Sequence, residues 1–209
     1  MDYLQQLIER YPVLSAVQND IKKAYDLLKE TFTAKGKLLI AGNGGSAADA
    51  EHITGELMKS FVKKRALPSD FISRLDEIDP EHSAYLGSAI QQGLPVISLA
   101  SSISLLTACI NDIGADTFYA QQVYGYGSEG DAFLGISTSG NSKNIYYAMI
   151  TAKAKNIKTI TLSGATGGIA AKYADVSIIV PERETYKIQE LHMPIYHCLC
   201  LMLEEHFFS

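Results

Sequence analysis

Hydrophobic positions along the chain follow two different periods. Short apolar runs without helical spacing occur at 38–41, 94–100, 132–136, 159–162 and 176–180, bounded by glycine, proline or hydroxyl residues, and they read as buried strands. Between them, 46–62, 102–110, 116–124, 144–154 and 185–206 read as helices, with a short helical piece at 167–173. Strands that alternate with helices predict an α/β fold: a five-stranded parallel sheet covered on both faces, a flavodoxin-like three-layer sandwich. Residues 2–10 and 13–34 read as two more helices separated by Pro12, with Leu14, Val17, Ile21, Ala24, Leu28 and Phe32 close to one face. This lead-in precedes the first strand and has no sheet of its own to cover. Residues 1–35 are therefore expected to form an oligomerisation arm on a neighbour or partner subunit, and 36–209 the domain proper. The stretch 63–92, with Pro68, Asp79-Pro80 and weak helical patterning from Ser83 to Gln92, reads as an excursion, either a lid or an interface segment.

Chemistry gathers where strands end. The first strand runs into Gly42-Asn43-Gly44-Gly45, after which Ser46 is placed to cap a helix and Asp49 sits in its first turn. A strand, a glycine turn and a helix start make a place for an anion, because the first turn's amides have no partner inside the helix. The same helix carries His52 and Glu56, four residues apart and so on one face. That pair suits a shared metal or a substrate proton; it also suits an ordinary solvated face. The third strand ends in Ser137-Thr138-Ser139-Gly140-Asn141-Ser142 before a helix. Three successive hydroxyls at a helix start favour a phosphate cradle over a plain capping loop. In the last helix Gln189 and His197 fall about 80° apart and two turns along, so both can reach one site, subject to a kink expected at Pro194. His192 falls on the far side of Gln189 and reads as a packed, satisfied residue.

Composition narrows the partners. A net charge of −5 argues against general nucleic-acid binding, and the chain opens acidic and amphipathic, with no signal peptide and no membrane span, so a cytoplasmic protein is expected. Cys109, Cys198 and Cys200 lack metal-ligand spacing and read as buried free thiols. Lys63-Lys64-Arg65 reads as a solvated helix end, and Asn111-Asp112 as a turn.

Taken in order, Gly-Asn-Gly-Gly-Ser at 42–46, His52 with Glu56, Asn111-Asp112, Ser-Thr-Ser-Gly-Asn-Ser at 137–142, and Ile-Gln-Glu-x-His followed by His197 resemble the sugar isomerase (SIS) domain family, within it the phosphoheptose isomerases. The resemblance covers nearly the whole chain apart from the excursion. It implies interconversion of sedoheptulose 7-phosphate and D-glycero-D-manno-heptose 7-phosphate through an enediol, for ADP- or GDP-heptose precursors. It implies substrate contacts at Asn43, Gly44, Gly45, Ser46, Glu56, Asn111, Asp112, Ser137, Thr138, Ser139, Ser142 and Gln189. It implies Glu56 and His197 as base and acid, and zinc held by His52, Glu56, Gln189 and His197. It also implies a homotetramer with sites between subunits. The chain departs from the pattern in the length of 63–92, in Tyr186 where several members carry Asp, and in Pro194. Two other functions fit the same scaffold: a non-catalytic module that senses phosphosugars or binds a protein, and an isomerase of another sugar phosphate.

Overall fold

The computed structural model describes residues 2–209. Five strands form one parallel sheet in the order β2-β1-β3-β4-β5, comprising β1 (Leu38–Gly42), β2 (Val96–Ser98), β3 (Ala132–Ile136), β4 (Lys158–Gly164) and β5 (Val176–Val180). Every residue of β1 and β3 is buried, as expected for parallel strands covered on both faces. Alternation sorts their side chains: Leu38 and Ile40 enter one apolar core, Leu39 and Ala41 the other. The second strand is shorter than its apolar run: Leu94 and Pro95 precede it, and Leu99 and Ala100 follow it in a turn, with the Leu99 amide still donating to the Ile40 carbonyl at 2.8 Å.

One face of the sheet carries α1 (Tyr3–Arg10), a 3-10 turn at Pro12–Val17, α2 (Gln18–Thr33), α3 (Gly45–Met58) and α9 (Thr185–Phe207). The other carries α6 (Ile103–Asp112), α7 (Phe118–Tyr126) and α8 (Lys143–Ala154). The three-layer sandwich is thus the fold of this chain. The lead-in corrects its expectation. Leu14, Ile21, Ala24 and Leu28 are buried in the same core as Ile160, Val176 and Ile178, so α2 covers this chain's own sheet.

The excursion contains two helices, α4 (Ser69–Ile78) and α5 (Ser83–Ala89), packed on each other. Asp79 Oδ1 accepts the Glu81 and His82 amides at 3.0 and 3.2 Å and so starts α5. No residue of α4 is buried, although Phe71, Ile72, Leu75 and Ile78 fall at helical spacing.

Arg65 overturns the reading of the basic triplet as a solvated helix end. Its side chain and that of Glu204 are both fully buried, joined at 2.9 Å. Helix α3 stops at Met58, short of the expected residue 62, and the chain then wraps around Glu204.

Candidate active site

The strand order reverses between β1 and β3, so a crevice opens outside their carboxyl ends. From β1 the chain turns so tightly into α3 that a Cβ on Gly42 would collide with Ser46. Gly44, at φ 55°, holds the N-cap position, and its carbonyl accepts the Ala47 and Ala48 amides at 3.0 and 3.2 Å. Ser46 therefore lies inside the first turn, buried, and is not the cap that its side chain suggested. Tyr119, buried on α7, donates its hydroxyl to the Gly42 carbonyl and holds the strand end in place; burial pushes this phenol up to about 12.

The loop after β3 is fixed by its backbone. The Ser137 amide donates to the Leu162 carbonyl at 3.1 Å, and the Gly164 amide to the Thr138 carbonyl at 3.0 Å. Gly140, at φ 66°, packs so closely on Gly167 that no side chain fits. Ser142 occupies the N-cap of α8 without a side-chain cap bond; its hydroxyl instead faces that of Ser137 at 3.1 Å. The hydroxyls of Ser137 and Ser142 are thus engaged with each other and not in capping α8. Asn144, unmarked by the sequence reading, exchanges two amide hydrogen bonds with Asn43, at 3.0 and 2.9 Å. This pair bridges the β1 and β3 turns across the crevice.

The second part of the site lies between α3 and α9. His52 Nε2 is 3.2 Å from Glu56 Oε1 and 3.5 Å from His197 Nε2. Glu56 Oε2 is also 3.4 Å from Lys59 Nζ, and the Phe61 ring lies 5.5 Å from that of His197. His197 is half-buried, and its imidazole is held below the ordinary range by burial first and by His52 second, with Glu56 opposing. Gln189 packs on the bare Cα of Gly45, where a Cβ would lie 2.5 Å from its Nε2. Helix α9 continues through Pro194, so Gln189 and His197 both belong to one helix laid along α3.

Other expected residues stand apart. Asn111 and Asp112 form the exposed end of α6, not a turn after it, and bond to each other at 2.7 Å. Ser139 is exposed, with its hydroxyl accepting the Asn141 amide at 3.2 Å. His192 is fully buried, but it is not the satisfied residue expected: neither ring nitrogen has a hydrogen-bond partner. The Ser163 backbone partly offsets its burial without reaching hydrogen-bond geometry, and the imidazole is pushed down to about 4. All three cysteines are free and buried.

Two imidazoles, a carboxylate and an amide are donors that suit zinc, and three of them meet around His52 Nε2. Among the described residues, however, no three His, Cys, Asp or Glu side chains are arranged to hold a metal ion. The donor set fits in residue type and neighbourhood, not as a formed coordination group.

Residues 2–92 and 98–202 each match the SIS domain family. The chain belongs to that family. Among curated relatives, a phosphoheptose isomerase of Helicobacter pylori is 39% identical over 194 residues, 93% of this chain and 88% of the relative. One from Aneurinibacillus thermoaerophilus is 41% identical, over 86% of this chain and 77% of the relative. A solved phosphoheptose isomerase from Neisseria gonorrhoeae superposes with a TM-score of 0.76 at 29% identity, covering 96% of this chain and 94% of that one. In this SIS domain the crevice side chains come from strand ends and the proton-transfer candidates from the α3–α9 contact. Tyr196, whose hydroxyl reaches His52, and Asp49, which accepts from that hydroxyl, were not singled out from the sequence as site residues. Nothing local distinguishes a tyrosine on an apolar helix from a core residue.

Proposed function

We propose that this SIS domain is an aldose–ketose isomerase of sedoheptulose 7-phosphate, with D-glycero-D-manno-heptose 7-phosphate as the aldose. The observation that carries the reading is the meeting of His52 and Glu56, on the helix that begins at the crevice, with His197 of α9. The likeness to named phosphoheptose isomerases over nearly the whole chain supports the same substrate.

In this reading Ser137, Thr138 and Ser142 hold the phosphate, Ser139 flanks it, and Asn43 and Asn144 contact the chain of hydroxyls. Asn111 and Asp112 contact the sugar only if it reaches the end of α6. Glu56 takes the proton from the carbon next to the carbonyl, leaving an enediol, and returns it to the neighbouring carbon. His197, kept neutral by its surroundings, passes the proton between the two enediol oxygens. Zinc belongs to the proposal too. His52, Glu56, Gln189 and His197 would hold it, and it would supply Lewis-acid stabilisation to those oxygens. A homotetramer in the cytoplasm, feeding nucleotide-linked heptose synthesis, completes the proposal. Among the described residues no helix is long and apolar enough to cross a membrane.

The test is an NMR time course of sedoheptulose 7-phosphate in D₂O, with and without chelation and added zinc. The aldose should appear with deuterium at C2, and Glu56→Gln should slow this by about 10²- to 10⁴-fold. Absence of conversion by wild type in every condition would remove the isomerase reading.

A further inference from the structure

His52 presents Nε2 to Glu56 and His197, and its other nitrogen faces inward. Nδ1 lies 3.1 Å from the hydroxyl of Tyr196, and the same hydroxyl lies 3.2 Å from Asp49 Oδ1. Tyr196 is 1% exposed, so its position is set by packing between α9 and the sheet. A phenol has one proton to give, and two acceptors compete for it.

Asp49 decides the competition. Its Oδ2 is buried without any partner, and Tyr196 is the donor to Oδ1. Were the phenol proton directed to His52, neither oxygen of this half-buried carboxylate would have a donor. Directed to Asp49, the proton leaves the phenol oxygen with lone pairs facing His52 Nδ1, which must then carry hydrogen.

We infer that Asp49 and Tyr196 form a positioning relay that fixes His52 with its proton on Nδ1 and its Nε2 lone pair turned toward Glu56 and His197. The consequence lies 3.2 Å away. In the opposite tautomer Nε2–H would donate to the Glu56 carboxylate and occupy the group proposed as base. With the relay in place, Nε2, Glu56 and the His197 ring nitrogen enclose a point that attracts a proton or a cation. The catalytic importance of the relay rests on the isomerase reading; the tautomer itself does not.

Histidine-selective ¹⁵N labelling of the full chain, after chelation, tests it at a pH alkaline of the ordinary imidazole range. Long-range ¹H–¹⁵N correlations, assigned with His52→Gln, report which ring nitrogen of His52 carries hydrogen. Wild type should show hydrogen on Nδ1. Tyr196→Phe should move it to Nε2, since Nδ1 then has no partner and the Glu56 carboxylate, 3.2 Å from Nε2, accepts the proton. Asp49→Ala should do the same by freeing the phenol proton for Nδ1, so either variant suffices if the other does not fold. Hydrogen on Nε2 in wild type, or an unchanged tautomer in a folded variant, overturns the relay. In isomerase assays Tyr196→Phe should lower kcat about tenfold or more while KM holds, because the phosphate loop is untouched. A tautomer that switches in the variants, with no isomerase activity in wild type, would sink the function and keep the relay. Isomerisation by wild type with no switch would do the reverse.

Discussion

Replacing Glu204 with glutamine tests how the end of α3 is held. The carboxylate accepts the Phe61 amide at 2.8 Å, the Val62 and Lys63 amides at 2.9 and 3.1 Å, and Arg65 Nε at 2.9 Å. Arg65 in turn donates to the Leu57 and Glu56 carbonyls at 2.7 and 2.9 Å, the last turn of the helix that carries the proposed base. Glutamine keeps one acceptor for Phe61 and Arg65 but points an NH₂ group at the Val62 and Lys63 amides. It also leaves the Arg65 charge buried without its counter-charge. Breaking a buried pair by removing one partner costs about 3–5 kcal/mol, and the retained acceptor places Glu204→Gln near about 3 kcal/mol. For a chain of this length that corresponds to a Tm lower by about 6–12 °C.

Denaturant unfolding followed by circular dichroism, at fixed protein concentration, measures the loss. Burial pushes the Glu204 carboxyl up, but the Phe61 and Val62 amides and Arg65 outweigh it and hold the group below the ordinary range. A depressed carboxylate contributes stability above its unfolded pKa and loses it as pH falls through the folded one. The difference between wild type and Glu204→Gln should therefore shrink in acid. Adding Arg65→Met to Glu204→Gln should recover part of the loss, since the uncompensated charge is gone. A loss at neutral pH below about 0.5 kcal/mol, the range of ordinary surface changes, would refute this account of the clasp.

Two other outcomes follow from particular contacts. Gly45→Ala should barely alter stability, because the flexible end of Gln189 gives way, but displacing Gln189 should lower kcat/KM, by up to about 10²-fold; unchanged kinetics would place Gln189 outside the site. His192, pushed down to about 4 by burial, should make folding weaker as pH drops from about 6.5 toward 4, by about 3 kcal/mol in total, since the unfolded chain binds the proton more readily. His192→Met should flatten that part of the acid limb in denaturant midpoints measured across the range.

Local chemistry made the strands legible. Ala132–Ile136 and Val176–Val180 appear at the bounds read from the sequence, because buried parallel strands are apolar runs closed by turn residues. The His52–Glu56 spacing and the hydroxyl loop were legible for the same reason: each is contained in one turn of chain. What escaped was non-local. A helix preceding the first strand gives no sign of which sheet it will cover, and α2 covers its own. The burial of Arg65 depends on a glutamate 139 residues away, so its neighbours Lys63 and Lys64 suggested solvent instead.

The non-local part converges on one stripe of α9. Tyr196, Cys200 and Glu204 are spaced four apart, and all three are buried. Tyr196 reaches His52 midway along α3, while Glu204 holds the loop that follows α3 and, through Arg65, its last carbonyls. His197 stands one residue from Tyr196, about 100° around the helix. The two therefore meet the His52 ring at different nitrogens, Tyr196 at Nδ1 and His197 at Nε2. One helix thus sets the height of α3, the orientation of its imidazole and the distance from that imidazole to the partner histidine. A slip of α9 along α3 by a single residue would remove all three at once. The proposed chemistry accordingly depends on packing between two helices, with the crevice loops left to bind the phosphate and the sugar.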